Sequence, residues 1–596
     1  MPLRSRKRPA GPDGSGLRLI LSNLEQAVRF SSSLVGLVSP PLPAFLSVEE
    51  VKEFCVGLLD PCGPHPWREW WDEQEETARF SFAHSLFLFR KTLPGGSEAS
   101  ALASFLETMV QPQAPADPEF LAFIRREVPR LFRPGWDSSY RNQVSSLTPP
   151  TSASLGTSRA TGGVRGGCTS ISRAAPSAAL GLTVLSPSPA KVVGVPDGGK
   201  WRVVTINGDQ DLLLRPLHHL MYDHLSRKPW LLRGDAKSRR FRGFTHVPGE
   251  VFVSGDYASA TDSIPLDIYH EMLKAVAMTS TEVPNSVWQF AIASSVKEFV
   301  DCKGSPLGWQ GRGQLMGSYL SFPFLCLLNY LCFRFSIKRK VPLRINGDDI
   351  VFRCTEREKE VWMRNVSRCG LVLSKGKTLV HPRVFTLNSV MFRADVNAVR
   401  SVSFFRSKAF FTAPESAEAI AGQLHALVVG RPGSRVKDEI QVAFLLRNQK
   451  KLAWSMMSLT RDLSARVSDK VLRMSGLYDR ERFYLGLPPP PPCRGPPLPG
   501  GFVQRPLGKG WRLRVQRQEE QVFFRYLSEM TWLGWQPTGV RRGITRYHRF
   551  RRKNCRFLRG ATGKAVYLGT IGTGEGRGET VWCLPATRFV SGGVMG

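Results

Sequence analysis

The chain has 596 residues, 42% of them hydrophobic, and sets 82 Lys and Arg against 49 Asp and Glu for a formal net charge of +33. That length and apolar content bury a large core and suit more than one domain, which excludes a disordered coat. The cationic excess favours a polyanionic partner, nucleic acid foremost, but a generically basic ribonucleoprotein would carry the same charge, so charge alone says nothing about catalysis.

In chain order, the N-terminus begins Met-Pro-Leu-Arg-Ser-Arg-Lys-Arg and lacks the apolar stretch of a secretory signal, which predicts a flexible basic arm over 1–15. A mitochondrial presequence is the weaker reading, because Pro9 and Gly11 interrupt an amphipathic helix; a nuclear signal is weaker still. Mixed aromatic and charged positions up to residue 147 predict a folded, largely helical region. Residues 148–190, rich in Ser, Thr, Gly, Ala and Pro, predict a loop or flexible connector. The eleven cysteines form no Cys-x-x-Cys pair and read as reduced, packed thiols. His218, His219 and His224 fit no common metal spacing and read as a helix face.

Val251 to Asp256 reads as a short strand ending in a carboxylate, and Asp262 follows six residues later. Leu315 to Phe333 carries no charge between Arg312 and Arg334, but Gly317, Pro323 and Asn329 argue for a loop entering a buried helix over a membrane span. Residues 345–352 read Ile-Asn-Gly-Asp-Asp-Ile-Val-Phe, two adjacent carboxylates at a glycine turn between β-formers. Paired carboxylates there repel unless a cation neutralises them, although Asn-Gly-Asp-Asp equally suits a solvated surface turn. A strand bringing Asp256 beside this hairpin would gather three acidic groups, suiting two cations roughly 3.5–4 Å apart for in-line phosphoryl displacement. A strand ending in a helix-capping Asp accounts for Asp256 or Asp262 singly, not for both together with the hairpin.

Helical periodicity continues over 410–480, and Pro488 to Gly501 predicts a stiff spacer within 486–501. In 502–596, Arg541, Arg542, Arg546, Arg549, Arg551, Arg552, Lys553 and Arg556 alternate with Tyr547, Phe550 and Phe557. Basic residues interleaved with aromatics can contact phosphates and stack on bases; a solvated cationic tail is the alternative.

Gly255-Asp256-Tyr257-Ala258-Ser259-Ala260-Thr261-Asp262 resembles motif A of viral RNA-dependent RNA polymerases, the 313–323 stretch resembles motif B, and Asn346-Gly347-Asp348-Asp349 resembles motif C. Residues 370–378 resemble motif D and 385–392 motif E, while Lys191 with Lys200-Trp201-Arg202-Val203-Val204 resembles motif F. The wording of motifs B to E, and Leu225-Ser226-Arg227-Lys228-Pro229-Trp230 between F and A, is similar to the ourmia-like viruses (Botourmiaviridae), relatives of the narnaviruses and leviviruses. The resemblance implies an α+β right-hand polymerase with an antiparallel palm sheet packed on helices. Residues 1–147 would contribute to the fingers, 191–405 would form the fingers–palm core, and 406–485 the thumb.

It also implies roles. Asp256 and Asp348, supported by Asp349, would ligate Mg²⁺, with Mn²⁺ as the alternative, and Lys191, Lys200 and Arg202 would hold the incoming nucleoside triphosphate. Lys377, or its competitor Lys375, would protonate the pyrophosphate leaving group. Gly317 belongs to the motif B loop, and Asp262 and Ser321 would read the ribose 2′-hydroxyl. The six-residue motif A spacing is shared with levivirus-like enzymes, and Leu325 replaces an Asn often found after the motif B hydroxyl, leaving Asn329 without a role. The expected partners are an RNA template, its product duplex and host factors of unknown kind, in the host cytoplasm, with no transmembrane segment. The rival readings are a reverse transcriptase-like palm, against which the polar Thr261 and Asp262 argue, and a non-enzymatic RNA-binding protein, which leaves the three aspartates unexplained.

Overall fold

Local chemistry sets the helix boundaries in the N-terminal region of the computed structural model, which describes residues 14–59, 63–147, 149–159, 163–164, 170–374, 378–429, 435–487, 503–506 and 580–583. Ser47 caps the helix Val48–Gly57 by accepting from the Glu50 amide, and Ser97 and Asp117 cap Glu98–Val110 and Pro118–Leu131 in the same way. The helices Gly14–Val35 and Glu76–Phe89 complete the main framework of this region. Over 148–190 the sequence predicts loop, yet the described part contains the helix Ser170–Ala179, with Ala175, Ala178 and Ala179 buried in the largest core. Small residues that read as a connector also allow close helix packing, and alanine favours the helix.

The strands are β1 (Ala190–Pro196), β2 (Trp201–Ile206), β3 (Val251–Gly255), β4 (Glu298–Val300), β5 (Pro306–Trp309), β6 (Leu343–Asn346), β7 (Asp349–Cys354), β8 (Leu379–His381), β9 (Val384–Leu387), β10 (Val390–Ala394), β11 (Val399–Ser401), β12 (Phe404–Phe405), β13 (Val428–Val429), β14 (Val503–Pro506) and β15 (Thr580–Cys583). The central sheet runs β6-β7-β3-β8 and every pairing in it is antiparallel. A second sheet, β2-β1-β4-β5, contains one parallel pairing, β1 with β4. β9 and β10 form a hairpin extended by β11, and β14 pairs with β15. The architecture is α+β, as the resemblance implies.

Beneath the central sheet lies the helix Ser321–Ser336, buried along most of its length. Phe333 meets Phe352 of β7 at 5.1 Å between ring centroids, and Tyr330 stacks on Trp230 at 4.3 Å. Its apolarity thus serves a protein core, and among the described residues no helix is long and apolar enough to cross a membrane. The helices from Ser407–Phe411 to Tyr478–Gly486 share a second core with the N-terminal helices, Phe30 lying 5.4 Å from both Phe405 and Phe410. Cys55, Cys302, Cys326, Cys332, Cys354 and Cys369 are free thiols.

Candidate active site at one end of the central sheet

A two-residue loop, Gly347-Asp348, joins β6 to β7 across the Asn346–Asp349 pair. Gly347 takes φ +66°, a conformation a side-chain-bearing residue adopts only under strain, and occupies the first loop position, where tight hairpins favour glycine. On the other side of β7, Gly255 of β3 pairs with Ile350. Asp256 therefore leaves β3 beside Asp349, and the three predicted carboxylates share one end of one sheet.

Their electrostatics are mutual. Burial raises the pKa of Asp348, with Asp256 adding to the rise and Arg202 opposing it. Burial pushes Asp349 up to about 7, helped by the charges of Asp348 and Asp256 and opposed by the Asn388 amide and Lys91. The Asn388 N–H donates to Asp349 Oδ2 at 3.1 Å, so the β9–β10 turn contacts the acidic group directly. Among the described residues no three His, Cys, Asp or Glu side chains close into a ready-made metal cage. Three carboxylates at one end of one sheet nonetheless offer the oxygen donors that a hard divalent cation prefers.

Asn329 is fully buried, and its amide nitrogen donates to the Gly347 and Asp348 carbonyls at 3.1 and 3.3 Å while its oxygen accepts from Tyr257 at 2.8 Å. It holds the acidic turn from below. The sequence leaves Asn329 unassigned because a lone amide in an apolar helix gives no sign of what it faces.

Motifs A, B and F are tied together by backbone contacts. The Gln314 amide donates to Thr261 at 2.8 Å, and the Thr205 amide of β2 donates to Met316 at 3.1 Å. Gly317 lies so close to β2 that a Cβ would sit 2.2 Å from the Thr205 carbonyl oxygen. Asp262 accepts from the Thr261 hydroxyl at 3.1 Å; burial raises its pKa, and Thr261, Arg312 and Lys200 oppose the rise. The Ser321 hydroxyl is buried with no hydrogen-bond partner among the described residues.

Of the three basic motif F residues, Lys200 and Arg202 act on Asp262 and Asp348, respectively. Lys191 pairs with Ile206 at the opposite end of the β1–β2 hairpin, roughly 17 Å along the strand from its turn. Among the described residues no hydrogen bond or ion pair links Lys191 to the carboxylates. Lys375 and Lys377 lie outside the described residues, as do Arg541, Arg542, Arg546, Arg549, Arg551, Arg552, Lys553 and Arg556.

Residues 195–388, which contain all three carboxylates, match the family model of the Mitovirus RNA-dependent RNA polymerase. The RNA-dependent RNA polymerase of Ourmia melon virus (isolate Melon/Iran/VE9) is 29% identical over 217 residues, covering 33% of this chain and 25% of that protein. The segment that carries the carboxylates is thus similar to the RNA-dependent RNA polymerases of mitoviruses and of Ourmia melon virus. It spans only a quarter of that curated relative's length. Among solved structures, the RNA-dependent RNA polymerase of a human picorbirnavirus is similar at a TM-score of 0.46 and 13% identity, over 76% of this chain and 92% of that one. The stretches that resemble motifs A, B, C, E and F are joined by the contacts above, whereas Arg90, Lys91 and His84, which also reach the site's surroundings, lie far upstream of the matched segment.

Proposed function

We propose that this chain is an RNA-directed RNA polymerase that replicates a positive-strand viral genome by nucleotidyl transfer from nucleoside triphosphates. The observation that carries the reading is the placement of Asp348 and Asp349 at a hairpin turn beside Asp256 at the end of β3. In a right-hand description, β6-β7-β3-β8 is the palm, the β1–β2 hairpin belongs to the fingers and 406–485 is the thumb. Asp256 and Asp348, supported by Asp349, would hold divalent cations, Mg²⁺ or alternatively Mn²⁺, which when bound acidify the 3′-hydroxyl and neutralise the triphosphate.

The chain's own residues do the rest. Lys200 and Arg202 attract the triphosphate and favour charge developing on the transferred phosphoryl group. Lys191, at the end of the hairpin where Thr205 meets the motif B loop, joins them in holding the triphosphate. Asp262, held by Thr261, accepts from the ribose 2′-hydroxyl, and the orphan hydroxyl of Ser321 supports a polar partner there. Gly317 lets the motif B loop lie against β2. Lys377 or Lys375 donates a proton to the departing pyrophosphate. The RNA template and product duplex are bound, with the arginines of 541–556 as an accessory surface.

Primer extension by the purified full chain tests this, comparing RNA with DNA templates and ribonucleotides with deoxyribonucleotides. Template-directed incorporation of ribonucleotides, lost in Asp348→Ala while RNA binding persists, is the expected result. Extension by Asp348→Ala at the wild-type rate removes the assignment.

A further inference from the structure

The stretch entering motif B is pinned on both sides of one arginine, Arg312. On one side, the Gly311 amide donates to the Met109 carbonyl at 2.7 Å, near the end of the helix Glu98–Val110. On the other, the Gly313 amide donates to the Ile264 carbonyl at 3.0 Å and the Gln314 amide to that of Thr261 at 2.8 Å, so residues 313–314 lie alongside 261–264. Gly313 takes φ +77° and approaches so closely that a Cβ there would sit 2.9 Å from the Asp262 Cα. The buried side chains of Gln310 and Gln314 both donate to the Gly313 carbonyl, at 2.8 and 2.9 Å, and fix this turn from within. Arg312 is therefore held where its chain neighbour touches Asp262.

Arg312 is half-buried, its Nε is shielded from solvent with no hydrogen-bond partner, and among the described residues its guanidinium makes no close ion pair. A shielded cationic donor left without an acceptor is costly. The Asp262 carboxylate accepts only from the Thr261 hydroxyl among the described residues, through Oδ1, and it interacts electrostatically with Arg312 and Lys200. Different cations, Arg202 and Lys91, act on Asp348 and Asp349. Arg312 thus belongs with Asp262 and not with the paired carboxylates of the β6–β7 turn.

We propose that Arg312 is a positioning residue for ribonucleotide selection, drawing the Asp262 carboxylate into place to accept from the ribose 2′-hydroxyl of the incoming nucleotide. This rests on the polymerase reading of the three aspartates. A guanidinium beside a carboxylate favours its charged form, which only accepts hydrogen bonds and so suits a hydroxyl donor. Thr261 occupies Oδ1, which leaves Oδ2 for the sugar. A deoxyribonucleotide offers no hydroxyl there, so the arrangement aids the ribonucleotide alone.

The test compares incorporation of a ribonucleotide and its deoxy counterpart by the full-length chain on one primed RNA, as the ratio of the two kcat/KM values. Arg312→Met should lower this ratio by about tenfold, the scale of a lost bond to a charged group, whereas Arg312→Lys, which keeps the charge, should retain most of it. Partial misfolding lowers both rates alike and cancels in the ratio, and Arg312→Gln serves as a second neutral variant. Asp262→Ala should lower the ratio as well, and adding it to Arg312→Met should change the ratio by less than about twofold, because the arginine acts through that carboxylate. A fall in both rates by the same factor in Arg312→Met, as loss of a triphosphate-binding arginine would give, overturns the proposal, and so do two effects that multiply. A wild-type chain that selects ribonucleotides, with Arg312→Met selecting them equally well, defeats this role and leaves the polymerase reading standing. A wild-type chain that incorporates neither nucleotide defeats both.

Discussion

Two hairpin turns meet at Asp349, and they are built on opposite plans. The β6–β7 turn carries ionisable side chains and is held by neutral groups: the Asn329 amide, the Tyr257 hydroxyl behind it, and Cys326 Sγ, which accepts from the Gly347 amide at 3.3 Å. The β9–β10 turn, Asn388-Ser389, carries no charge and is held by titratable groups, His84 through the Ser389 carbonyl and Lys91 through the Ser389 hydroxyl. Its two residues take φ +52° and +58°, the geometry of a two-residue hairpin whose loop residues are both left-handed. A turn that must present charge is steadied by groups that add none, because another buried charge would need its own partner. A neutral turn can recruit charged supports, which then remain near the reacting groups.

Removing charge from the first turn should have the largest effect. Asp348→Ala is expected to lower the rate of primer extension by about a thousandfold or more, on the scale of losing a central electrostatic group, with RNA affinity little changed in a filter-binding assay. Loss of RNA binding in step with activity would mean that the acidic turn is structural.

The neutral support comes next. Asn329→Leu leaves the Tyr257 hydroxyl and two turn carbonyls without this partner, and should destabilise the chain by about 2–3 kcal/mol while depressing turnover more than substrate KM. Tyr257→Phe should cost about 1 kcal/mol. Chemical denaturation beside steady-state kinetics checks both, and a fully active Asn329→Leu would show that the turn holds itself.

Selection of the sugar lies farther from the two turns and should respond more weakly. Asp262→Ala should reduce discrimination between ribonucleotides and deoxyribonucleotides by on the order of 1–3 kcal/mol, the usual range for a lost polar contact. Competition between the two nucleotide types measures it directly. Unaltered discrimination would shift the role to Thr261 or Ser321.

The second turn gives the smallest effect at neutral pH and a distinctive one in acid. Burial, reinforced by the neighbouring cations Lys91, Arg406 and Arg90, lowers the His84 pKa from 6.5 to about 4, although its bond to Ser389 opposes the shift. The unfolded chain takes up this proton as pH falls below 6.5, whereas the folded chain resists it until about 4. The contribution of His84 to stability should therefore be constant above pH 6.5 and diminish between 6.5 and 4. Melting temperatures of wild type and His84→Gln across that window should show a shallower acid decline in the variant; parallel curves would exclude His84 as the source.

The contrast between the turns also explains what the sequence could disclose. Asp256, Asp348 and Asp349 were legible because carboxylates at strand ends and tight turns are uncommon and chemically pointed, and because glycine marks the turn itself. The antiparallel sheet followed from the resemblance, and the buried motif B helix from Gly317, Pro323 and Asn329 together with that resemblance, since an uncharged run alone also suits a membrane span. Lys191, Lys200 and Arg202 read as one basic set, and only the strand register shows that they are spread along a hairpin, Lys191 at the end away from its turn. Asn329, His84, Arg90 and Lys91 are ordinary helix or helix-end residues in isolation; the contacts that define them span up to 305 residues of chain. The helix Ser170–Ala179 was hidden because alanine and serine in a glycine-rich stretch specify neither helix nor loop strongly.

The core that joins Phe30 to Phe405 and Phe410 has a consequence for biosynthesis. A ribosome adding about 5–20 residues per second exposes the first aromatic side chain for roughly twenty seconds to more than a minute before its partners are made. Leu24, Phe54, Trp67 and Phe89 enter the same core and share that wait. Folding of the earliest helices is thus timed by the late segment, and an early stop in translation would release a fragment whose aromatic surface has no native cover and is open to aggregation.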